Sequence, residues 1–416
     1  MDRVILHCDL NCFYASVELL SYPELRTVPV AVCGDPEARH GIILAKNEPA
    51  KRMGVKTAET IWQARKKCPD LVLLPPHRDQ YLHYSKEANR IYNQYTDRIE
   101  PFGIDESWLD VTGSLHLFGG DAKNLADTIR ERIKRELGLT LSVGVSFNKV
   151  FAKLGSDYKK PDATTVISRD NFPSLVWPLP ITDLLFVGRA AAKVLNSYNV
   201  FTIGELAAFD RDGLITLLGK QGGQLSDYAR GEDRSPVLPS AEQGPPKSVG
   251  NGLTFRRNLV GLEEIRTGLA LLSDQVAVRL RQCQMKCMTV QVTIRDPNFK
   301  TITRQKGLSS PTNVSRELTE AALELVQGAW RMDAPIRMLT VTGLHLVSEW
   351  AAPEQLDLFR PTDAQRRDKL ERLERTMDSI RGKYGRDAIQ LGSLLHPEPG
   401  EEVDHIHPEQ QKEKEL

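Results

Sequence analysis

Ile99-Glu100-Pro101-Phe102-Gly103-Ile104-Asp105-Glu106-Ser107-Trp108-Leu109-Asp110-Val111 holds two apolar, strand-like runs, Ile99–Ile104 and Ser107–Val111, with an acidic pair between them. This pattern predicts a hairpin that carries Asp105 and Glu106 at its bend. A second acidic station, Asp9, follows the apolar run Val4–Cys8 and precedes Leu10 and Asn11. Neighbouring strands could gather these three carboxylates on a rigid sheet. Like charges a few ångströms apart raise one another's pKa, so such a cluster calls for cations. Mg²⁺ suits it, because that ion prefers a few carboxylate oxygens together with substrate phosphates and water. The matching chemistry is phosphoryl or nucleotidyl transfer on two metals.

Outward from the hairpin, residues up to about Ile167 alternate strand and helix. Asn11 to Leu20 starts as a helix, and Val28–Cys33 with Ile42–Ala45 reads as a hairpin. Pro49–Met53 and Thr60–Lys67 read as short helices, and Tyr81 to Tyr95 as an amphipathic one. Asp121 to Leu137 is a long helix, Leu141–Val145 a strand, and Asn148 to Asp157 a helix. The order is the ferredoxin-like βαββαβ. From Thr182 to about Arg230 short helices are broken by glycine, and Gly231 to Pro246 reads as an exposed linker. A second α+β region follows: helix Leu262–Gln282, strands Met288–Arg295 and Lys300–Gln305, helix Val314–Trp330 and strand Arg337–Leu346. Beyond Ala351 come an apolar knot, Gln355-Leu356-Asp357-Leu358-Phe359, a charged helix from about Thr362 to Arg381, and an acidic end expected to be disordered. The expected fold class is α+β, in several domains.

A length of 416 residues predicts two to four domains, and 40% hydrophobic with 26% charged residues is ordinary for a soluble globular protein. No apolar run approaches membrane-spanning length, no signal peptide is expected, and a cytoplasmic setting follows. The six cysteines lack C-x-x-C spacing and are expected as free thiols. Formal net charge is zero, yet Arg279, Arg281, Lys286, Arg295, Lys300, Arg304 and Lys306 face only Asp296 in their stretch. The charged residues after Glu398 are mostly acidic. Segregated charge of this kind is what nucleic-acid binding requires.

Together the motifs resemble the Y-family translesion DNA polymerases, in particular the bacterial DNA polymerase IV branch. Asp9-Leu10-Asn11-Cys12-Phe13-Tyr14-Ala15-Ser16-Val17-Glu18, Ile104 to Val111, and Ser142 to Lys149 with Ala152-Lys153-Leu154 and Lys159-Lys160-Pro161 carry the resemblance in order along the chain. It implies a right-hand polymerase, with a palm (1–12 and 76–167), fingers (13–75), thumb (168–233), linker (234–246), little finger (247–350) and tail (351–416). It also implies that Asp9, Asp105 and the Leu10 carbonyl hold the nucleotide Mg²⁺. Glu106 joins the two aspartates at a second Mg²⁺ near the primer 3′-hydroxyl. Tyr14 is implied as the steric gate under the sugar, Phe13 beside it is placed with the nucleotide-binding residues although an aromatic early in a helix reads as core, and Lys160 is implied as the cation that reaches the triphosphate.

The sequence departs from that pattern in two places. Asn47-Glu48-Pro49-Ala50-Lys51-Arg52 has Glu48 where many members have a tyrosine on the phosphates, which leaves Lys51 and Arg52 as the candidate contacts. In the thumb, Leu185-Phe186-Val187-Gly188-Arg189 keeps only the second glycine of a phosphate-gripping Gly-x-Gly turn, with Arg189 nearby.

Arg295, Lys300, Arg304 and Lys306 are the candidate template contacts. The last three share strand parity. Aromatics are scarce among them, so capture of bases by stacking is not expected. Gln355, Leu356, Leu358 and Phe359 resemble a sliding-clamp peptide. The expected function is low-fidelity lesion-bypass synthesis on primer-template DNA from dNTPs, by a monomer tethered to a clamp. Two alternatives stay open: a palm-fold nucleotide cyclase, and a catalytically silent, clamp-bound DNA-binding protein.

Overall fold

A computed structural model describes residues 2–35, 41–239, 242, 244–350, 361–385, 388–390 and 392, with backbone alone for 361–366. The chain divides into two compact units, one up to residue 243 and one from Gly244.

Among the described residues the first unit contains eight strands: β1 Ile5–Leu10, β2 Val30–Cys33, β3 Ile43–Lys46, β4 Val72–Leu74, β5 Ile99–Pro101, β6 Glu106–Asp110, β7 Leu141–Ser146 and β8 Thr164–Ile167. Five of them form a sheet in the order β5-β6-β1-β7-β8, with β1 antiparallel to both neighbours. This is the expected βαββαβ arrangement, extended at one edge by β8, parallel to β7. Every residue of β1 is buried, because both faces of the sheet are covered. Leu6, Cys8 and Leu10 pack with Tyr81 and Ile91 of helix Arg78–Tyr92 and with Ile129 and Ile133 of helix Ala122–Leu137. Ile5, on the other face, packs with Trp108 and with Ala152 of helix Lys149–Tyr158.

Side chains alternate along a strand, so His7 and Asp9 share the face of Ile5, under helix Lys149–Tyr158. That helix lies close to the sheet because residue 144 is glycine. A Cβ there would stand 1.9 Å from the Ala152 carbonyl oxygen and 2.5 Å from the Ser156 nitrogen.

A smaller sheet, β3-β2-β4, has its own core of Ala31, Ile43, Ala50, Ile61 and Ala64. Helix Phe13–Ser21 joins it to the larger sheet: Phe13 and Val17 belong to the main core, and Leu19 packs on Val30 and Leu74. Helices Arg189–Asn196, Ile203–Ala208, Arg211–Leu218 and Lys220–Ala229 enclose a further apolar cluster.

Instead of running free as an exposed linker, the chain after Gly231 returns along the sheet. Arg3 donates to the Asp233 and Ser235 carbonyls at 3.1 and 2.7 Å, the Leu238 amide donates to Glu100 at 2.9 Å, and Val237 is buried against Ile5 and Trp108. A short apolar residue among prolines and serines gave no periodic signal, and only the groove beneath it makes it core.

The second unit is an antiparallel sheet, order β11-β10-β12-β9, built from β9 Ser248–Leu259, β10 Met285–Arg295, β11 Thr301–Thr312 and β12 Ile336–Ser348. Helices Leu262–Gln282 and Ser315–Ala329 cover one face. Strand β9 went unread in the sequence. Gly250 and Gly252 interrupt it, and they are required: a Cβ would meet Thr342 Oγ1 at 2.5 Å and Thr340 Oγ1 at 2.4 Å. The charged tail helix, Pro361–Tyr384, docks on this unit.

Candidate active site

Register sets the first pair: Asp9 on β1 stands directly opposite Glu106 on β6, and the Asp105 carbonyl accepts the Leu10 N–H at 3.0 Å. Cross-strand neighbours on one face are about 5 Å apart at Cβ, so the two carboxylates must share counter-charge. Two lysines supply it. Lys153 Nζ lies 3.2 Å from Asp9, 3.0 Å from Glu106 and 3.1 Å from Asp157. Lys160 Nζ lies 2.6 Å from Asp9 and 2.8 Å from Asp157. The hairpin, the first strand and the third motif therefore converge, bringing together Asp9, Asp105, Glu106 and Lys160.

Burial pushes Asp9 up to about 6, against the pull of Lys160 and Lys153 and with the push of Glu106. Burial also raises Asp105, and Glu106 adds to the rise. For Glu106 burial is outweighed: contact with His7 and the ammonium of Lys153 hold it well below the usual carboxylate range. Both lysines are raised; burial opposes this, and Asp9 and Asp157 overcome it. Four carboxylates thus share two ammonium groups and remain in excess. Among the described residues no three such groups already surround one point as metal ligands. The ammonium groups instead stand among the carboxylates as cations in their own right, and this donor set suits hard divalent ions.

The loop that carries Lys160 is held from both sides. Asn11 accepts the Asp162 N–H at 2.9 Å and donates to Ser142 at 2.8 Å, while Arg130 donates to the Asp162 carboxylate at 2.7 Å. His7 is buried next to the acids, with Nδ1 2.8 Å from Ser156 Oγ and Nε2 3.5 Å from Glu106; burial pulls it down to about 4. Lys153, Asp157 and His7 were not identified as site residues from the sequence. Lys153 and Asp157 were legible as an i,i+4 pair on one helix, but their distant partner Asp9 was not.

Phe13 is 3% exposed and packs in the main core, which fits its reading as core and not a direct nucleotide contact. Tyr14 is half-buried and stacks on Tyr81, ring centroids 4.1 Å apart and 12° between planes. Tyr81 is itself anchored through its hydroxyl to Glu18. Lys51 and Arg52 are exposed on helix Glu48–Arg52. Glu48 pairs with Lys51 at 3.3 Å and accepts from the Cys12 thiol at 3.5 Å. Its charge is thus balanced within the small sheet's own helix. In the helical segment, Phe186 takes φ 70°, the left-handed conformation that the missing glycine would adopt, with Arg189 exposed three residues on.

The basic stretch of the second unit is largely not free. Arg281 is buried against Asp378 at 2.6 Å and against Glu374, and Lys286 pairs with Glu371 at 2.7 Å, all three acids on the tail helix. Lys300 precedes β11 rather than lying in it. Arg304 and Lys306 share the parity of Ile302 and Leu308, which pack on the core, and Lys306 pairs with Glu324 of a covering helix. Arg304 and Lys306 thus share one face as parity predicts, but Lys300 is not on the strand with them and the face is the one turned toward the helices. Alternation decides which face a residue takes, and the even positions of β11 turn toward the helices. The face opposite these helices carries Thr289, Gln291, Thr293, Arg295, Thr340 and Thr342, and Arg295 donates to Thr301 at 3.0 Å. Gln355–Phe359 lie outside the described residues.

Comparisons with known proteins agree on one family. Residues 8–157 match the impB/mucB/samB family, and residues 246–358 match its C-terminal domain. The DNA polymerase IV of Acetivibrio thermocellus is 49% identical over 395 residues, covering 95% of this chain and 98% of that protein. DNA polymerase IV of Clostridium kluyveri is 37% identical (95% and 99% covered), and DNA polymerase IV 1 of Bacillus subtilis 36% (95% and 94%). A solved Y-family DNA polymerase chimera, Dbh-Dpo4(243-245)-Dbh, superposes with a TM-score of 0.73 at 22% identity, covering 83% of this chain and 99% of that one. The five-stranded acidic sheet, the small three-stranded sheet, the helical segment and the second α+β unit thus follow a known polymerase fold, and the chain belongs to the impB/mucB/samB family of Y-family DNA polymerases, with DNA polymerase IV among its relatives.

Proposed function

We propose that the chain performs template-directed, low-fidelity DNA synthesis past damaged template, by nucleotidyl transfer with two Mg²⁺ ions. The observation that carries this reading is the facing pair Asp9–Glu106, bridged by Lys153 and flanked by Asp105 and Lys160. Asp9, Asp105 and the Leu10 carbonyl would hold one ion, and Glu106 with both aspartates the other. Bound there, Mg²⁺ would lower the pKa of the primer 3′-hydroxyl and offset charge on the triphosphate.

The chain's own residues do the rest. Lys160 sits on a loop braced by Asn11 and Arg130, so its ammonium can leave Asp9 for a triphosphate without the loop moving. Lys153 offsets the charge of Asp9 and Glu106, which the strand register puts opposite one another. Tyr14, backed by the ring of Tyr81, offers a rigid wall where a ribose 2′-hydroxyl would have to fit. Lys51 and Arg52 remain as exposed cations for the outer phosphates. Phe186-Val187-Gly188 with Arg189 would hold DNA backbone in the helical segment. The threonine-rich sheet face with Arg295, and Lys300 and Arg304 at its edge strand, would hold template. Gln355, Leu356, Leu358 and Phe359 would tether the chain, a monomer in the cytoplasm, to a sliding clamp. Among the described residues no helix is long and apolar enough to cross a membrane.

Primer extension tests the reading. Purified protein with Mg²⁺ should add dNTPs on undamaged and lesion templates, Asp105→Ala should not, and Tyr14→Ala should admit ribonucleotides. Full incorporation by Asp105→Ala would refute it.

A further inference from the structure

The turn between β10 and β11 has a residue its geometry does not ask for. Asp296-Pro297-Asn298-Phe299-Lys300 closes with the Phe299 N–H on the Asp296 carbonyl at 3.1 Å and the Asp296 N–H on the Lys300 carbonyl at 3.0 Å. Phe299 sits at φ 64°. A hairpin turn of this kind places glycine at the left-handed position, and a bulky side chain there is strained. Here the glycine substitute, asparagine, lies one residue early. The ring gains nothing from the core in return, since it is 65% exposed. What it does meet is the Arg337 guanidinium, 4.8 Å from the ring centroid. Arg295 and Lys300 flank the turn. Its one acid, Asp296, accepts the Lys300 N–H at 2.8 Å.

We propose that Phe299, backed by Arg337, is a stacking platform for an unpaired base of the nucleic acid held by the second unit. A strained, exposed ring between cations matches a nucleobase next to its phosphate. A protein groove would call for more apolar surface, and Asn298 and Lys300 on either side of the ring are polar and exposed. This replaces the expectation that base stacking plays no part here. The inference rests on the reading that the chain holds DNA.

The test uses the full chain and two DNAs of equal duplex length, one blunt and one with a single-stranded template overhang carrying 2-aminopurine. Phe299→Gly suits the turn and keeps the fold. Phe299→Leu keeps an apolar surface without a π-face, and Phe299→Trp keeps the face. The glycine and leucine variants should lose about fivefold or more in affinity for the overhang DNA, with blunt binding within about twofold of wild type. The tryptophan variant should bind as wild type does, and 2-aminopurine should brighten on passing from wild type to Phe299→Gly. Unchanged overhang binding by Phe299→Gly would overturn the platform. So would equal losses on both DNAs, or wild-type binding by Phe299→Leu. A wild-type chain that bound neither DNA would instead bring down the DNA-synthesis reading on which the platform rests.

Discussion

In the first unit, Asp9 is buried and Glu106 half-buried at the ends of sheet strands, with Lys153 against both and Lys160 against Asp9. In the second, Arg281 is buried against Asp378 and Glu374 of a helix that holds it for good, with Glu374 also accepting from the Ser315 amide at 2.9 Å. Both are partly buried ionic clusters, yet they point in opposite directions. Burial and mutual repulsion raise Asp9 and Asp105, so their charged forms work against the fold. Arg281 is raised because Asp378 and Glu374 outweigh its burial, so its charge works for the fold. The second cluster is not free of strain, since burial raises Glu374 against the pull of Ser315 and Arg281, but its ion pairs tie a helix to its own unit, whereas the first gathers carboxylates where strands end.

The sharpest way to break this contrast is Asp105→Asn. Incorporation should fall about a thousandfold, by analogy with loss of a residue that acts on the reacting atoms, while the midpoint of thermal unfolding holds or rises. A fall in both would place Asp105 with the structural ion pairs. Arg281→Ala should do the reverse. Leaving Glu374 buried and unpaired costs about 3 kcal/mol or more in urea unfolding, with incorporation at saturating DNA near wild type.

Acid titration separates the clusters further. Asp9 is raised from its ordinary 3.8 to about 6, so its protonated form favours folding. That contribution is complete below about pH 4 and disappears as the pH rises through about 6. Asp9→Asn keeps a neutral group at every pH. Its stability relative to wild type should therefore climb between about pH 4 and 6 and stay level above. A flat difference across that window would show that the lysines fully satisfy Asp9. The smallest effect is expected from Lys306→Ala, a surface pair with Glu324. Stability should change by about 1 kcal/mol or less, and DNA affinity by about twofold at most. A large loss of affinity would return Lys306 to the template contacts.

Some elements could be read from the chain alone. Helix Leu262–Gln282 lies at its expected bounds because its apolar residues recur at helical spacing over many turns. The acidic hairpin was legible from two apolar runs and a bend, though its first strand ends at Pro101 and Glu106 opens the second strand instead of lying in the bend. Strand β9 was not, because its glycines answer to Thr340 and Thr342 on another strand. Val237 was missed for the same reason, its burial arising in a groove made by Ile5, Trp108 and Ala152. Glu48, troubling as an isolated acid, is balanced by Lys51 and Cys12 once the fingers-like helix is seen beside the start of helix Phe13–Ser21.

By itself the sequence singled out the groups proposed to carry chemistry, Asp9, Asp105, Glu106, Tyr14 and Lys160, in an order and setting that pointed to one enzyme family. Only the tertiary structure decided how these charges are shared. Whether an ammonium is free depends on what stands within about 4 Å of it, and those neighbours come from remote positions in the chain. Lys153 was thereby drawn into the acidic site, Arg281 and Lys286 were withdrawn from the basic surface, and Phe299 was left exposed among cations.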